Sequence, residues 1–389
     1  MAIEVDYRFP PGVDAGRQAR VIAVGQTAGT WSERFAHREG ALRAHLGEVA
    51  AVRELPGGAG LATVRFPEAN VEGDLGSLLT MIFGKYSMAG PAKVVGLRLP
   101  EEYGTRPKLG IEGIRARLGV RDRPLVMAIF KPALGLSAED HAGLLREVAG
   151  AGLDVIKDDE ILGDLPAAPT RERLRACRAA LEELGDAGSA ARLLYAVNVT
   201  GRADRLLERA RELVAGGARA LLVNALPYGL SVLEALARDP AVDVPLFAHP
   251  ALAGALCGAP DHGLSYAVVL GELLSRSGAD AVLYPAHYGS LPFAAEEEAL
   301  VRDALRARGV FPVPSAGIHP GVVPRALADY GTEVALNAGT GIMDHPDGPA
   351  AGVRAFFEAL ERARPGEPFA AADVPAGPLA RALEKWGSA

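Results

Sequence analysis

The stretch Gly152-Leu-Asp-Val-Ile-Lys157-Asp158-Asp159-Glu160 places one lysine and three carboxylates directly after an apolar run. The apolar residues before Lys157 indicate a strand that ends at a site. Because side chains alternate between the faces of a strand, Lys157 and Asp159 share one face, and Glu160 in the following turn can reach the same point. Carboxylate oxygens are ligands that Mg²⁺ prefers, and a lysine carrying CO₂ can add a carbamate oxygen. The pattern predicts a metal site, with a charged surface turn as the alternative.

Short apolar runs of the same kind recur eight times after residue 124. The predicted strands are 125–131, 153–157, 193–199, 220–225, 244–249, 281–284, 311–315 and 334–338. Helical patterns rich in Ala, Leu, Glu and Arg separate many of them, at 138–149, 171–184, 203–214, 266–274 and 294–308. Eight consecutive strand–helix units, over a span of about 265 residues, predict an α/β fold of the (β/α)8 TIM-barrel type.

The predicted strands end in polar residues, and the carboxyl ends of the strands are where such barrels carry their catalytic groups. These residues are Lys131, Lys157 to Glu160, Asn198, Asn224, His249, Ser315 and Asn337. We interpret Lys131 as a donor to a substrate oxygen that gains charge, and His249 as part of the lining of the site. A solvated lysine and a core histidine are the respective alternatives.

Residues 1–108 follow another pattern and predict a small α+β, ferredoxin-like domain before a barrel domain of residues 109–389. Its predicted strands are 3–9, 19–24, 49–55, 62–66 and 94–99, with two helical stretches between them. Two segments are unusual for their composition, 25–31 and 80–87, and the second contains Lys85. A Gly-rich turn and a solvated helix residue are the plain alternatives to functional roles for these segments.

Composition limits the function classes. The chain has 389 residues, 49% of them hydrophobic, and a net charge of -7 that is spread along the sequence, so we expect no nucleic-acid partner. Its first residues lack the basic start and apolar core of a signal peptide, and it has no apolar run of membrane-spanning length. The two cysteines have no metal or redox spacing. These features predict a cytoplasmic protein without a membrane partner.

Several motifs, in one order along nearly the whole chain, resemble those of RuBisCO-like proteins, the type IV branch of the RuBisCO large-chain superfamily. They are Thr27-Ala-Gly-Thr30-Trp31, Phe130-Lys131-Pro132 with Leu134-Gly-Leu-Ser137, Gly152 to Glu160, Ser315-Ala-Gly317-Ile-His319, and Asn337-Ala-Gly-Thr-Gly341 with His345-Pro346. The resemblance implies a homodimer in which the N-terminal domain of one subunit completes the barrel site of the other. It also implies a carbamate on Lys157, Mg²⁺ ligands at Asp159 and Glu160, and an Asp158 that points away.

Departures from the carboxylases of this superfamily concern the groups that handle CO₂. Ala133 stands where carboxylases have a second lysine, and Tyr288-Gly289-Ser290 stands where they have a lysine in a mobile loop. Pro250 replaces the arginine of a His-Arg pair, and Leu283 replaces a histidine. Losing these lysines removes transition-state charge stabilisation that substrate binding alone cannot replace, so we expect no CO₂ fixation.

Within this superfamily the chain is most similar to the enolases of bacterial methionine salvage, which act on a phosphorylated diketone. The stretches that carry this similarity are Phe83-Gly84-Lys85 with Ser87, 248–251 with Gly254-Ala255, Tyr284-Pro285 with 288–290, and 313–321. The resemblance implies that Lys85 is the base that takes a proton from C1 of the substrate. The phosphate group would be bound by backbone N–H groups and hydroxyls of Thr30, Ser315, Gly317, Ala338, Gly339 and Thr340.

Three positions differ from that enolase pattern: Pro132, where a glycine is usual, Thr340 in place of the middle glycine of three, and Asp344 in place of a glycine. Asp344 brings negative charge close to the expected phosphate loop. A decarboxylase or isomerase of another sugar-acid or sugar phosphate is therefore an alternative, as is a scaffold without catalysis. Three anions kept so close together without a cation argue against the scaffold, and a decarboxylase would need no base at Lys85.

Overall fold

The computed structural model describes residues 2–30, 33–185 and 190–388, so Trp31 of the Gly-rich segment lies outside the described residues. The strands in chain order are β1 Ala2–Phe9, β2 Glu48–Glu54, β3 Gly60–Pro67, β4 Lys93–Arg98, β5 Leu125–Ile129, β6 Val155–Lys157, β7 Leu194–Val199, β8 Ala220–Val223, β9 Leu246–Ala248, β10 Gly263–Leu264, β11 Ala281–Pro285, β12 Phe311–Ser315 and β13 Ala335–Ala338.

The α-helices are α1 Ala15–Gly25, α2 Glu39–Ala44, α3 Leu75–Leu79, α4 Gly110–Leu118, α5 Ala138–Gly150, α6 Thr170–Glu183, α7 Leu206–Ala215, α8 Ala225–Tyr228, α9 Leu230–Arg238, α10 Ala253–Cys257, α11 Leu274–Arg276, α12 Ala295–Ala307, α13 Val323–Tyr330, α14 Thr340–Met343, α15 Pro349–Arg362 and α16 Pro378–Trp386. A π-helical turn, Thr80–Gly84, and a 3-10 helix, Lys85–Met88, follow α3, and a π-helix, Ala267–Leu273, precedes α11.

Eight parallel strands form the larger sheet, in the order β12-β11-β9-β8-β7-β6-β5-β13. The two end strands, β12 and β13, lie against each other, so the sheet closes into a barrel. Across this seam the Asn337 amide nitrogen donates to the Ser315 hydroxyl over 2.8 Å. The predicted TIM barrel is confirmed, and all eight predicted strands are present.

The barrel has its own apolar interior. Every second residue along the strands joins one buried cluster, made of Leu125, Met127, Val155, Leu194, Ala196, Ala220, Leu222, Phe247, Ala281, Leu283, Phe311, Val313 and Ala335. Three residues of α4, Ile111, Ile114 and Leu118, belong to the same cluster, and α4 precedes β5 in the chain. This helix therefore contributes to the barrel core at the amino ends of the strands, and the carboxyl ends are left for polar groups.

The smaller sheet has five strands in the order β10-β4-β1-β3-β2. Strand β1 is antiparallel to β3 and β4, and its alternate residues Ile3, Val5, Tyr7 and Phe9 are fully buried. This alternation is the period expected of a strand with one face on a core. The α+β nature of the N-terminal region is confirmed.

The prediction of a strand at 19–24 is wrong, because these residues belong to helix α1. Its buried residues Ala15, Ala19, Ile22 and Ala23 follow helical spacing and face the core. Asp14 caps the helix, with its carboxylate accepting the Arg17 N–H over 2.9 Å. The β-branched residues within 19–24 are few, so the helical spacing of the buried residues and the N-terminal cap favour a helix over a strand.

The barrel chain also contributes to the smaller sheet. Strand β10, from the segment after β9, pairs in parallel with β4, and the Lys93 ammonium donates to the carbonyls of Cys257 (2.9 Å) and Ala259 (2.8 Å). These contacts join the N-terminal sheet to the segment that follows His249. The domain division between residues 108 and 109 stays a prediction. Within the described ranges, every helix is too short or too polar to cross a membrane.

Candidate active site

The polar strand-end residues continue the interior face of the barrel. Counting in twos from the buried interior residues leads from Met127 to Lys131, from Val155 to Lys157 and Asp159, and from Phe247 to His249. The same count reaches Asn198, Asn224, Ser315 and Asn337 on the other strands. Because a strand alternates its faces, these side chains are aimed at the carboxyl-end mouth of the barrel.

Lys157, Glu160 and His249 meet at this mouth. The fully buried Lys157 ammonium donates to Glu160 Oε2 over 3.3 Å and to the Asp158 carbonyl over 3.0 Å. Burial lowers the pKa of Lys157, although Glu160 and Asp159 act in the opposite sense. A lowered pKa enlarges the neutral amine fraction, which is the form that reacts with CO₂.

His249 lies on the other side of Glu160, with its Nε2 atom 3.3 Å from Glu160 Oε2. Its Nδ1 atom accepts the Ala251 N–H over 3.1 Å, so the neutral ring carries its proton on Nε2. Burial, reinforced by the Lys157 charge, lowers the pKa of His249 to about 3. The ring is therefore a neutral donor at physiological pH, and it lies at the barrel mouth beside Glu160.

Lys131 lies beside Asp159. Its ammonium donates to Asp159 Oδ2 over 2.6 Å, and its side chain is 38% exposed while that of Asp159 is 4% exposed. A methyl group added at Gly339 would lie 3.6 Å from Lys131 Cε, so the loop after β13 passes close to this lysine. Lys131 thus lies between the carboxylate pair and the predicted phosphate loop.

Asp158 points away from this mouth, and its partners were not found by sequence reasoning. Its carboxylate is paired with Arg173 of α6, and both side chains are fully buried. Arg173 lies among the buried residues Leu174, Cys177 and Ala180 on the inner face of α6. A charged residue at an apolar position of a helix was the available signal, because such a residue needs a buried counter-charge.

Two asparagines fix the turn that follows the carboxylates. The Asn198 amide nitrogen donates to the carbonyls of Asp159, Glu160 and Leu162 at 3.3, 3.0 and 3.1 Å, and that of Asn224 donates to the Glu160 carbonyl at 2.9 Å. Both amide nitrogens thus bind backbone carbonyls of the turn after β6. Asn198 and Asn224 therefore hold the backbone at Glu160.

The predicted phosphate-binding residues lie in two loops of the barrel face and one loop outside it. Ser315 ends β12 and is followed by the exposed Gly317, whose φ of +90° favours glycine, while Ala338 ends β13 and is followed by Gly339 and Thr340. Thr30 is exposed in the turn after α1. Among the described contacts, no hydrogen bond joins Thr30 to the barrel mouth of its own chain.

Asp344 does not leave an uncompensated charge at this end of the barrel. Its carboxylate is 68% exposed and forms an ion pair with Lys385 of α16 at 2.7 Å. Trp386 of the same helix packs on His319 and His345, with ring centroids 6.1 and 6.3 Å away. Helix α16 therefore packs on the loops at His319 and His345 and neutralises Asp344, the residue whose charge opposes the predicted phosphate binding.

Lys85 takes no part in the described contacts of the barrel mouth within its own chain. Five of the chain's six lysines form a hydrogen bond or ion pair with described residues. Lys85 has none in that part of the chain, and it is exposed at the start of the 3-10 helix after α3. The structure thus presents an exposed amine on the N-terminal region and a separate anionic site in the barrel.

The residues at the end of β6 fit a hard cation. Asp159 and Glu160 supply only oxygen donors, and each is neutralised by a lysine 2.6 or 3.3 Å away, so the site already attracts positive charge. No cluster of three or more His, Cys, Asp or Glu side chains suited to a metal occurs within 2–30, 33–185 and 190–388.

Comparison with known proteins matches this architecture. The family model of the ribulose bisphosphate carboxylase large chain, catalytic domain, matches residues 110–291 and 292–386. A 2,3-diketo-5-methylthiopentyl-1-phosphate enolase of Microcystis aeruginosa is 66% identical over 387 residues, covering 100% of both chains.

Solved structures of related proteins share the fold of this chain. A rubisco-like protein (MtnW) from Alicyclobacillus acidocaldarius is 42% identical with a TM-score of 0.89, covering 99% of both chains. A dimeric archaeal Rubisco from Hyperthermus butylicus is 26% identical with a TM-score of 0.85, covering 100% of this chain and 96% of its own. The chain belongs to the family of the ribulose bisphosphate carboxylase large chain.

Proposed function

We propose that this chain is an isomerase that converts 2,3-diketo-5-methylthiopentyl 1-phosphate into its enol, a step of methionine salvage, without fixing CO₂. The full-length 66% identity to an enolase of that name supports the choice of substrate. The single observation that carries the reaction class is the meeting of Lys157, Asp159 and Glu160 with Lys131 and His249 at the barrel mouth.

The proposed metal site consists of Asp159, Glu160 and a carbamate on Lys157. The Lys157 ammonium first loses a proton, and the neutral amine then joins CO₂ with release of a second proton, which leaves an anionic carbamate as an oxygen ligand. A bound Mg²⁺ would polarise the substrate carbonyl and stabilise the enolate charge. Asn198 and Asn224 already hold the backbone of the ligand-bearing turn, so the ligands need little reorganisation.

The proton transfer is assigned to Lys85. Its amine takes the proton from C1, the C1–C2 double bond forms, and the C2 oxygen accepts the electron pair and then a proton. Lys131, next to Asp159, donates a hydrogen bond to the oxygen that gains charge. His249, held neutral with its proton on Nε2, adds no positive charge to the site.

The substrate phosphate is assigned to the loops after β12 and β13. Backbone N–H groups of Gly317, Ala338, Gly339 and Thr340, with the Ser315 hydroxyl, supply donors there, and Thr30 adds a hydroxyl from the N-terminal region of the other subunit. The proximity of Gly339 to Lys131 supports this arrangement, since a phosphate bound there would lie beside the proposed reacting end of the site.

The working unit is proposed to be a homodimer in which Lys85 and Thr30 of one subunit reach the barrel mouth of the other. The support is that both residues are exposed and make no described polar side-chain contact with their own barrel. The related archaeal Rubisco from Hyperthermus butylicus is dimeric. A two-fold dimer gives two equivalent composite sites.

The test is exchange of the C1 proton of the diketone phosphate in D₂O, followed by NMR with Mg²⁺ and bicarbonate present or omitted. We expect exchange and enol formation only with both. The Lys85→Ala variant should lose roughly 10² to 10⁴-fold in exchange rate, which is the usual contribution of a general base. Lys85→Arg keeps the positive charge without a usable base, so it should fail equally.

Near-full activity of Lys85→Ala would contradict the proposed base and favour a decarboxylation that needs no proton abstraction. Absence of exchange in the wild-type protein, with Mg²⁺ bound, would contradict the substrate and leave another sugar phosphate of the same reaction class. Exchange without bicarbonate would contradict the carbamate on Lys157.

A further inference from the structure

We propose that Asp158 and Arg173, together with Tyr195, form a buried clamp that positions the end of β6 for metal binding. Asp158 is then a positioning residue that acts through its chain neighbours Lys157 and Asp159. The inference rests on the metal site proposed above. It gives a role to the one acidic residue of the strand-end motif whose carboxylate makes no described hydrogen bond to that site.

The clamp uses both oxygens of the Asp158 carboxylate. Oδ1 accepts from Arg173 Nε at 3.2 Å and from the Tyr195 hydroxyl at 2.6 Å, while Oδ2 accepts from Arg173 Nη2 at 2.9 Å and from the Asn198 N–H at 2.9 Å. Arg173 also donates to the Ala168 carbonyl through Nη1, at 2.6 Å. Asp158 is thereby fixed to α6, to β7 and to the loop between β6 and α6.

Burial makes the clamp rigid. Asp158 and Arg173 have no exposed side-chain surface, and Tyr195 is 4% exposed. A buried ion pair is tolerated only where its geometry is good and its other donors and acceptors are satisfied. Rotation of Asp158 would leave an unpaired arginine in the core, so the carboxylate has one favourable position.

The clamp acts where the regular ladder stops. Backbone pairing of β6 with β7 ends at Lys157, opposite Ala196. One step further, the Asp158 N–H donates to the Ala196 carbonyl at 3.1 Å, and its carboxylate accepts the Asn198 N–H. The side chain of Asp158 therefore continues the strand contact past the end of the ladder, between Lys157 and Asp159.

The chain supplies a matched control on the same strand segment. Asp154, four residues earlier, is also buried and accepts from two Arg123 nitrogens at 2.6 and 2.8 Å, and from the Val126 N–H at 2.8 Å. Like Asp158, Asp154 accepts from an arginine and from a backbone N–H of an adjacent strand. Unlike Asp158, it lies at the end of β6 opposite to Asp159 and Glu160.

The experiment measures the Mn²⁺ dissociation constant of the full chain in bicarbonate buffer by electron paramagnetic resonance, with unfolding in urea measured in parallel. We expect Asp158→Asn to bind Mn²⁺ about 10- to 100-fold more weakly, the usual effect of losing a partner behind the ligands. Tyr195→Phe keeps the Asp158 and Arg173 charges and the aromatic ring, so this variant should fold. It should bind Mn²⁺ about threefold more weakly than the wild type. Asp154→Asn should lose stability and keep wild-type affinity.

Wild-type Mn²⁺ affinity in both Asp158→Asn and Tyr195→Phe would overturn the clamp. An equal loss of affinity in Asp154→Asn would also overturn it, since the effect would then follow stability alone. A wild-type protein that binds no Mn²⁺ would overturn the metal site and the clamp together. Mn²⁺ binding without C1 proton exchange would contradict the proposed substrate and leave the clamp in place.

Discussion

At the residue scale, His249 shows how the barrel mouth sets a charge state. Its pKa is lowered to about 3 by burial and by the Lys157 charge, against about 6.5 in an unfolded chain. Below pH 6.5 the His249 ring is therefore protonated in the unfolded chain, whereas it stays neutral in the folded chain until the pH approaches 3. The stability that this neutral ring contributes is full above pH 6.5 and is lost as the pH falls towards 3.

We predict that metal-free, bicarbonate-free wild-type protein loses roughly 1.6 kcal/mol more unfolding free energy between pH 6.5 and pH 5 than His249→Gln does. Urea unfolding at the two pH values measures this difference. The His249→Gln variant keeps a side-chain donor without a titrating ring, so it serves as the reference. A titration of the His249 ring signal with a midpoint near 6.5 would contradict the prediction.

The residues aimed at the barrel mouth were predictable because period-two alternation links each of them to a buried interior residue of its strand. Lys157, Asp159 and His249 follow from this rule alone. The partners of Asp158 were not predictable in the same way, since Arg173 and Tyr195 lie 15 and 37 residues away in sequence. Contacts between separate elements depend on packing, which no local pattern contains.

At the scale of elements, the eight barrel strands were found because each is a short apolar run bounded by turn residues. The strand predicted at 19–24 failed because a helix with four small or β-branched inward residues looks similar over so short a window. Helix α16 is amphipathic, with Leu379 and Ala382 buried. Its contacts with the loops at His319 and His345 depend on where α16 packs against the barrel. The amphipathic period of the helix does not predict that position.

Helix α16 makes a testable contribution to substrate binding. Lys385 compensates Asp344 at the start of the loop that follows α14, so Lys385→Ala should leave negative charge near the proposed phosphate site. Because the pair is partly exposed, we expect a rise in KM of about threefold with kcat unchanged, the size of a modest surface ion pair. Steady-state kinetics on the diketone phosphate measures both constants.

Arg381→Ala is the matched control, because Arg381 lies one turn earlier on α16 and pairs with Glu384 and Asp347. It should leave KM unchanged. Equal KM values for Lys385→Ala and the wild type would show that Asp344 does not act on the phosphate. A fall in kcat without a change in KM would assign Lys385 a different role.

At the scale of the whole molecule, the residues of the proposed site are divided between two regions of the chain. The barrel mouth has the carboxylates, Lys131 and His249, whereas Lys85 and Thr30 lie exposed on the N-terminal region. From the sequence, a site shared between two subunits could be predicted only by resemblance to a known family. Strand and helix patterns describe the fold of one chain and carry no information about contacts between chains. Lys85 is exposed and makes no polar contact with the anionic site among the described residues of its own chain, and this is the structural reason to expect a composite site.

Mixing two inactive variants tests the composite site. Lys85→Ala keeps the barrel half and Lys157→Ala keeps the N-terminal half, so a mixed dimer has one complete site and one site that lacks both lysines. If subunits exchange at random, half of the dimers are mixed, and the mixture should regain about a quarter of wild-type exchange activity. Each variant alone should stay inactive. Activity no greater than the sum of the separate variants, after subunit exchange is verified by mass-labelled subunits, would show that Lys85 serves the barrel of its own chain.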